Sequence, residues 1–352
     1  MAATPRALLI HPWPDRANPY VLRLGEALSA RGVDVRPSRY LAAHCVRPRG
    51  ARWLHVHWPE WMTRSSSRAR YRAAIAYQSA LFDLARAQGV SIAWTAHNLA
   101  PHDDPHPDLG SMARRALLAR CSVVFGHFAS AEADARSLGF RGRFAITPHP
   151  HYDRDYPSPF ADAEARLAHR RAMGVADDEL LLVSAGAIEP YKNLPAVARA
   201  IVEAAPPRVR WIVAGRAGDA SVLASLREAV KGVAWIEVRE GFVSHSEMAS
   251  LVAAADASLL GYRAFYTSGA AVLSLTLATP VIGPALHHLA RFEGETFFAA
   301  LQSVDPASIA AAVERVRAMG SEVRARARAA ALSETWDGAA RVIDTTLFGE
   351  TL

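Results

Sequence analysis

Lysine is almost missing from this 352-residue chain: Lys192 and Lys231 are the only two among 40 basic side chains, the rest being arginine. Cysteine is as scarce, and Cys45 and Cys121 alone make no disulfide framework and no cysteine-rich metal site. The opening stretch "MAATPRALLIHPWP" has too short an apolar run for a signal peptide, so the cytoplasm is the expected compartment. Neither a Walker A motif nor GxGxxG occurs, which removes support from the usual ATPase and dinucleotide readings. Zinc-finger spacing, a basic zipper and a recognition-helix pattern are also missing, so nucleic acid is not an expected partner. Low-complexity tracts and repeats are absent, and 51% hydrophobic with 21% charged residues is the composition of a globular protein. The most apolar stretch, "YTSGAAVLSLTLATPVIGP" from 266 to 284, falls short of a membrane span, because Pro280 and Gly283 interrupt it after about three helical turns.

What is present is arginine, concentrated in one half. Residues 1 to 150 hold 20 Arg against 10 acids, a balance of +10, and the remainder holds 20 basic against 24 acidic residues, a balance of −4. Within the first half, "WMTRSSSRARYRAAIAY" carries Arg64, Arg68, Arg70 and Arg72 without an acid, interleaved with Trp61, Met62, Tyr71 and Ile75. Two readings fit it: a surface for anionic lipid, or a solvated helix face.

The length accommodates two domains with separate cores. Strand-like runs alternate with helical stretches: "RALLIH" then 20–31, "WLHVHW" then 70–88, "SIAWTAHN" then 111–119, "SVVFGH" then 129–138. A polar, proline-rich stretch around "HPHYDRDYPSPF" interrupts this rhythm. It resumes with "LLLVSAG", helix 194–204, "VRWIVAG", helix 220–230, "AWIEVREG", helix 245–254 and "ASLLGY". This βα alternation predicts an α/β protein of two doubly wound, Rossmann-like domains facing a cleft. The expected boundaries are 1–155, a linker at 156–178, a second domain at 179–330, and a terminal helix at 331–352 that returns to the first domain.

Ligands of open α/β sheets bind beyond the carboxyl ends of the strands, so the residues that follow each run carry the information. Ser268 is a good N-cap for a buried helix, which needs no further function; yet a first turn of Ser268, Gly269 and Ala270 also bares N–H groups and a positive dipole end suited to phosphate. "AIEPYKNL" places Lys192 after another strand, where an ammonium and that helix end can hold one diphosphate. In the first domain, "HVHWPE" ends a strand with His57 and Glu60, and "WTAHNLAPHDD" ends the next with His97, Asn98, His102, Asp103 and Asp104. His55 and His57 alternate onto one face, which equally fits packed structural histidines. Acid, amide and imidazole groups at two strand ends suit acid/base chemistry. Asp153-Arg154-Asp155 matches the aspartate pair of metal-dependent sugar transferases only as a three-residue coincidence in a linker, so no metal is expected.

"NPYVLRLGEAL", "HVHWPEW", "TAHNLAPHDD", "HPHYDRDY", "AIEPYKN" and "YTSGAAVLSLTLATPVIGP", in this order along most of the chain, resemble the GT-B glycosyltransferases, and more closely the xanthan-pathway GDP-mannose β-mannosyltransferases of glycosyltransferase family 94. That resemblance implies an inverting transfer of mannose from GDP-mannose to a polyprenyl-diphosphate-linked oligosaccharide. The enzyme it implies needs no metal and sits peripherally on the inner face of the cell membrane, the arginine-rich first domain meeting anionic lipid. The donor would then lie on Lys192, Glu189, Tyr191, Ser268, Gly269 and Ala270, with its base read at Gly241, Phe242 and Val243. Asp104, Asp103, Glu60 and His97 are the expected catalytic groups, Asp104 first as the base, and Asn18, Tyr20, His57 and Asn98 would border the acceptor. The chain departs from retaining GT-B enzymes, which carry two glutamates eight positions apart near this helix; Phe265 to Ser274 contain none. Asp153 also looks inserted relative to the family pattern. Another nucleotide sugar, UDP- or dTDP-linked, and a non-catalytic nucleotide-sugar-binding regulator remain alternatives.

Overall fold

The computed structural model describes residues 6–13, 18–38, 41–48, 50–99 and 104–349. These divide into two compact units, one of residues 1–149 with 334–352, the other of 150–333. The first unit runs β1 (Ala7–His11), α1 (Tyr20–Ala30), β2 (Asp34–Pro37), α2 (Leu41–Val46), β3 (Trp53–Val56), α3 (Glu60–Thr63), α4 (Arg68–Ala87), β4 (Ser91–Thr95), α5 (Pro107–Leu118), β5 (Val123–Gly126), α6 (Ala131–Ser137) and β6 (Arg143–Ile146). The second runs α7 (Ala163–Ala172), β7 (Leu180–Ala185), α8 (Leu194–Ala204), β8 (Val209–Gly215), α9 (Ala220–Ala229), β9 (Ile236–Glu240), α10 (His245–Ala254), β10 (Ala257–Leu259), α11 (Gly269–Thr276), β11 (Val281–Gly283), β12 (Phe298–Ala300), α12 (Pro306–Arg317) and α13 (Val323–Leu332). The last helix, α14 (Trp336–Phe348), belongs to the first unit.

Each unit is built on one six-stranded parallel sheet among the described residues, ordered β2-β1-β3-β4-β5-β6 in the first and β12-β11-β10-β7-β8-β9 in the second. Helices cover both faces, so the central strands are buried throughout and read as unbroken apolar runs: "ALLIH" in β1, "VVFG" in β5, and nearly all of "VRWIVAG" in β8. The edge strands β2 and β6 are exposed at both ends and lack such a run, so they leave no periodic signal in the sequence. Strand order reverses between β1 and β3 in the first sheet and between β7 and β10 in the second. Those two reversals are where loops part in opposite directions and leave room for a ligand.

Local chemistry sets the helix starts. Ser67, Asp162, Asp219, Ser244, Ser268, Asp305 and Thr335 each stand at an N-cap, with the side-chain oxygen accepting a first-turn N–H. α14 is held by Trp53 Nε1, which donates to Leu347 O at 2.8 Å, and by the Arg6–Asp344 and Arg31–Asp337 pairs.

One expectation fails here: residues 156–178 contain α7, part of the second unit, where a linker was expected. Its buried side is made by arginines, so it reads as polar. Arg170 bonds Asp256 and Ala254 O, and Arg166 reaches Asp256, Ala253 O and Ala255 O. Those carbonyls lie at the C-terminal end of α10, where cations are favoured.

Candidate functional site

In the second unit the loops after β7 and β10 leave the sheet side by side. Gly186 follows β7 at φ +97, a conformation that other residues rarely adopt, and the place its missing Cβ would take lies 3.1 Å from the Lys192 ammonium nitrogen. Gly215 must also be glycine, since a Cβ there would strike the Gly186 carbonyl. A short 3₁₀ turn, Pro190–Lys192, then aims Lys192 back at the strand end, with Nζ donating to Ala185 O at 3.3 Å. Burial pushes the ammonium's pKa down to about 8, and the Glu189 carboxylate acts in the opposite direction. That carboxylate lies over Gly218, where a Cβ would collide with it.

The two loops are tied together. Arg263 N donates to Tyr191 O at 2.9 Å, the Tyr191 and Tyr262 rings lie 6.0 Å apart, and the Tyr262 hydroxyl meets Ser268 Oγ at 3.1 Å. Ser268 Oγ also accepts the Ala271 N–H at 3.1 Å, so its hydroxyl is committed to the helix and to Tyr262. What α11 offers a ligand is its half-buried first turn at Gly269 and Ala270, with no acidic side chain in that turn. Lys192, Glu189 and Tyr191 on one loop and Ser268, Gly269 and Ala270 on the other therefore flank the β7/β10 reversal, joined through Tyr191 and Tyr262. Gly241, Phe242 and Val243 do not join them: they follow β9 at the sheet edge, and Phe242 is 84% exposed.

The corresponding place in the first unit is occupied by a packed cluster of histidines around Tyr20. His57 Nδ1 lies 2.9 Å from His97 Nε2, His55 Nε2 lies 2.7 Å from Thr95 Oγ1, and the His55 and His57 rings are 4.4 Å apart. The Tyr20 ring touches His97 at 4.6 Å, His149 at 5.5 Å, His57 at 5.8 Å and His127 at 5.9 Å. Tyr20, His57 and His97 are buried, so the expected acceptor-lining role of the first two and the catalytic role of the third meet a core instead of a surface. The physical reason is that both faces of the sheet are covered: Val56 is as buried as His55 and His57, so the face the two histidines share is enclosed like the other. Burial lowers the His55 pKa to about 3 and holds His57 and His97 well below the usual imidazole range, neighbouring histidines adding to the effect. His11, His127 and His149 complete the cluster from the ends of β1, β5 and β6 and were missed; the available signal was a histidine closing strand after strand.

The carboxylates form a second polar group. Asp104 accepts the Tyr71 hydroxyl at 2.8 Å and the His106 N–H at 2.9 Å, opening α5, and Gly110 must lack a Cβ to clear it. Glu60 lies 3.4 Å from Arg114, a buried guanidinium stacked 4.4 Å over Trp94 and bonded to Leu99 O. Glu60, Tyr71 and Arg114 line one cavity of about 10 Å³, room for about one water. Asp103 and His102 lie outside the described residues. Asn98 is half-buried after β4, and Asn18 accepts the Tyr20 N–H at 3.0 Å as α1 begins. Asp153 pairs with Arg328 at 2.6 Å, and among the described residues no group of three His, Cys, Asp or Glu is placed to hold a metal ion.

The arginine segment is divided by α4. Tyr71 and Ile75 face the core, so they are not part of any lipid-facing surface, and Arg68 pairs with Asp108. Exposed instead are Arg70, Arg72, Tyr77 and Leu84. Among the described residues no helix is long and apolar enough to cross a membrane.

No family model matches the chain. It is similar to the GDP-mannose:glycolipid 4-β-D-mannosyltransferase of Xanthomonas campestris pv. campestris, with 27% identity over 270 residues, 76% of this chain and 70% of that protein. Among solved structures it resembles the sucrose-phosphate synthase of Thermosynechococcus elongatus, with TM-score 0.70 and 17% identity over 97% of both chains. It resembles Anabaena HepE, solved with UDP and glucose, with TM-score 0.69 and 13% identity over 97% and 98% of the chains. It also resembles WaaG, a glycosyltransferase of lipopolysaccharide biosynthesis, with TM-score 0.65 and 14% identity over 98% and 100%. Two doubly wound parallel sheets with these relatives define the GT-B architecture, and the class follows: the chain is a glycosyltransferase.

Proposed function

We propose that the chain transfers mannose from GDP-mannose to a lipid-linked oligosaccharide, forming a β-linkage with inversion and without a metal ion. One observation carries the donor half: at the β7/β10 reversal the loop that bears Lys192 is tied, through Tyr191, to the loop that opens α11. There the N–H groups of Gly269 and Ala270 would hold the outer phosphate, and the Lys192 ammonium would neutralise the diphosphate as it leaves. Guanine and mannose rest on the sequence likeness to the Xanthomonas enzyme, whose name carries both.

Inversion needs a base to take the proton of the acceptor hydroxyl as the bond to the anomeric carbon forms. We assign this to Asp104, because Glu60 is the counter-charge of buried Arg114 and is costly to neutralise. The Tyr71 hydroxyl fixes the Asp104 carboxylate in place. For the membrane, the exposed face of α4 is the better basis than the original segment: Ala69, Ala73, Ala76, Tyr77, Ala80 and Leu84 lie along it, beside Arg70 and Arg72.

The test is product configuration and donor choice. Incubation with GDP-mannose and a membrane-lipid acceptor extract should give a β-mannoside by NMR, and UDP- or dTDP-sugars should give none. Turnover with a UDP-sugar alone would replace the donor, an α-product would replace the mechanism, and nucleotide binding without any turnover would leave a regulator.

A further inference from the structure

We infer that Trp61, stacked on Trp58, is a platform for one hexopyranose ring of the acceptor. This rests on the glycosyl-transfer reading above and adds a subsite to it. Trp61 is 56% exposed, although an indole normally buries a large apolar area. It is not a loose surface residue. Its ring lies parallel to Trp58, 5.4 Å away at 14°, and Trp58 lies parallel to His97, 4.5 Å away at 18°. The three rings form a column that begins at solvent on α3 and ends in the buried histidine cluster. Neutral, enclosed His97 anchors its inner end, so the plane of Trp61 is fixed before any ligand arrives.

Position and chemistry select the occupant. α3 is the first element after β3, at the β1/β3 reversal where an open α/β sheet takes its ligand. A pyranose presents a patch of C–H groups on its face and hydroxyls around its rim. The face lies flat on an indole, and the rim needs polar partners; half-buried Asn98, the residue after His97 at the inner end of the column, is one within the same loop, whereas Glu60 is turned to Arg114. A lipid anchor has no use for a held ring plane, since depth in the interface is all it needs. The exposed face of α4, with Tyr77 and Leu84, meets that need separately.

Saturation-transfer NMR with cellobiose and with methyl α-D-mannopyranoside, without donor, tests the platform on the whole chain. The wild-type protein should saturate the ring C–H protons of at least one probe. Trp61→Ala should weaken that signal about fivefold and Trp61→Phe should retain most of it, as expected for loss and replacement of one stacked aromatic contact. The GDP-induced thermal shift should be the same in all three proteins, which separates a lost platform from a lost fold. No ring-proton saturation in wild type, or an undiminished signal in Trp61→Ala, overturns the inference. So does a Trp61→Ala protein that keeps the sugar signal but leaves anionic vesicles, since the indole is then a lipid anchor. Failure of the transferase reading would appear elsewhere, as absent turnover of GDP-mannose by a wild-type protein that still saturates the sugar.

Discussion

Acid should unfold the first unit through its histidines before it reaches any carboxylate. His55, His57 and His97 are enclosed and neutral in the folded protein, with pKa values lowered to about 3 for His55 and well below the usual range for the other two. In the unfolded chain each titrates near 6.5. A depressed imidazole pKa means that the unfolded state binds more protons below pH 6.5, so stability falls as pH drops through that value. Down to pH 5 each group costs about 1.5 pH units at 1.36 kcal/mol, or about 2 kcal/mol, and the three together about 6 kcal/mol. Domain stability is about 5 to 15 kcal/mol in total, so the loss is decisive. Calorimetry between pH 7.5 and 5.0 should show a transition that moves steeply down below pH 6.5, with about 3 protons taken up on unfolding at pH 5.5. Removing one imidazole by His57→Gln should reduce that uptake by about one proton. A melting temperature unchanged from pH 7 to 5 would refute the reasoning, because it would require the cluster to be protonated or hydrated in the folded state.

Four further outcomes are expected. Lys192→Ala should lower kcat/KM for GDP-mannose by a factor of about 10² to 10³ with little change in melting temperature, the loss of one charge-assisted contact to a leaving diphosphate; an active, folded variant removes Lys192 from the site. Because the Lys192 pKa lies at about 8, GDP should bind more weakly as pH rises through that value and the ammonium empties, a dependence that titration calorimetry should find missing in Lys192→Ala. Asp104→Asn should lower kcat by about 10² to 10⁴ with donor affinity little changed, and a loss confined instead to Glu60→Gln would move the base. Replacing Arg70 and Arg72 with Gln should weaken sedimentation with anionic vesicles by about 1 kcal/mol per residue, and unchanged sedimentation would return α4 to a solvated face.

How much of this was legible in the sequence depended on what each residue had to bury. Apolar runs bounded by turns located the central strands and the helices between them, since a strand covered on both faces must be apolar along its length. The same rule hid β2 and β6, whose edges are exposed, and α7, whose buried contacts are made by guanidinium groups on carbonyls. At the site, Lys192 and Ser268 were visible because a lone lysine in an arginine-rich chain and a small-residue first turn each need a reason. That Tyr191 and Tyr262 tie their loops together was not visible, because a contact between residues 71 positions apart carries no local pattern. The histidines show the limit most sharply. Spacing alone placed His55 and His57 on one face, and it gave that face no sign; only packing decides whether an imidazole at a strand end meets a ligand or five of its own kind. Here it meets its own kind, which is why the proposed base is sought among the carboxylates, and the strand-end motif that looked most like chemistry becomes the scaffold on which Trp58 and Trp61 stand.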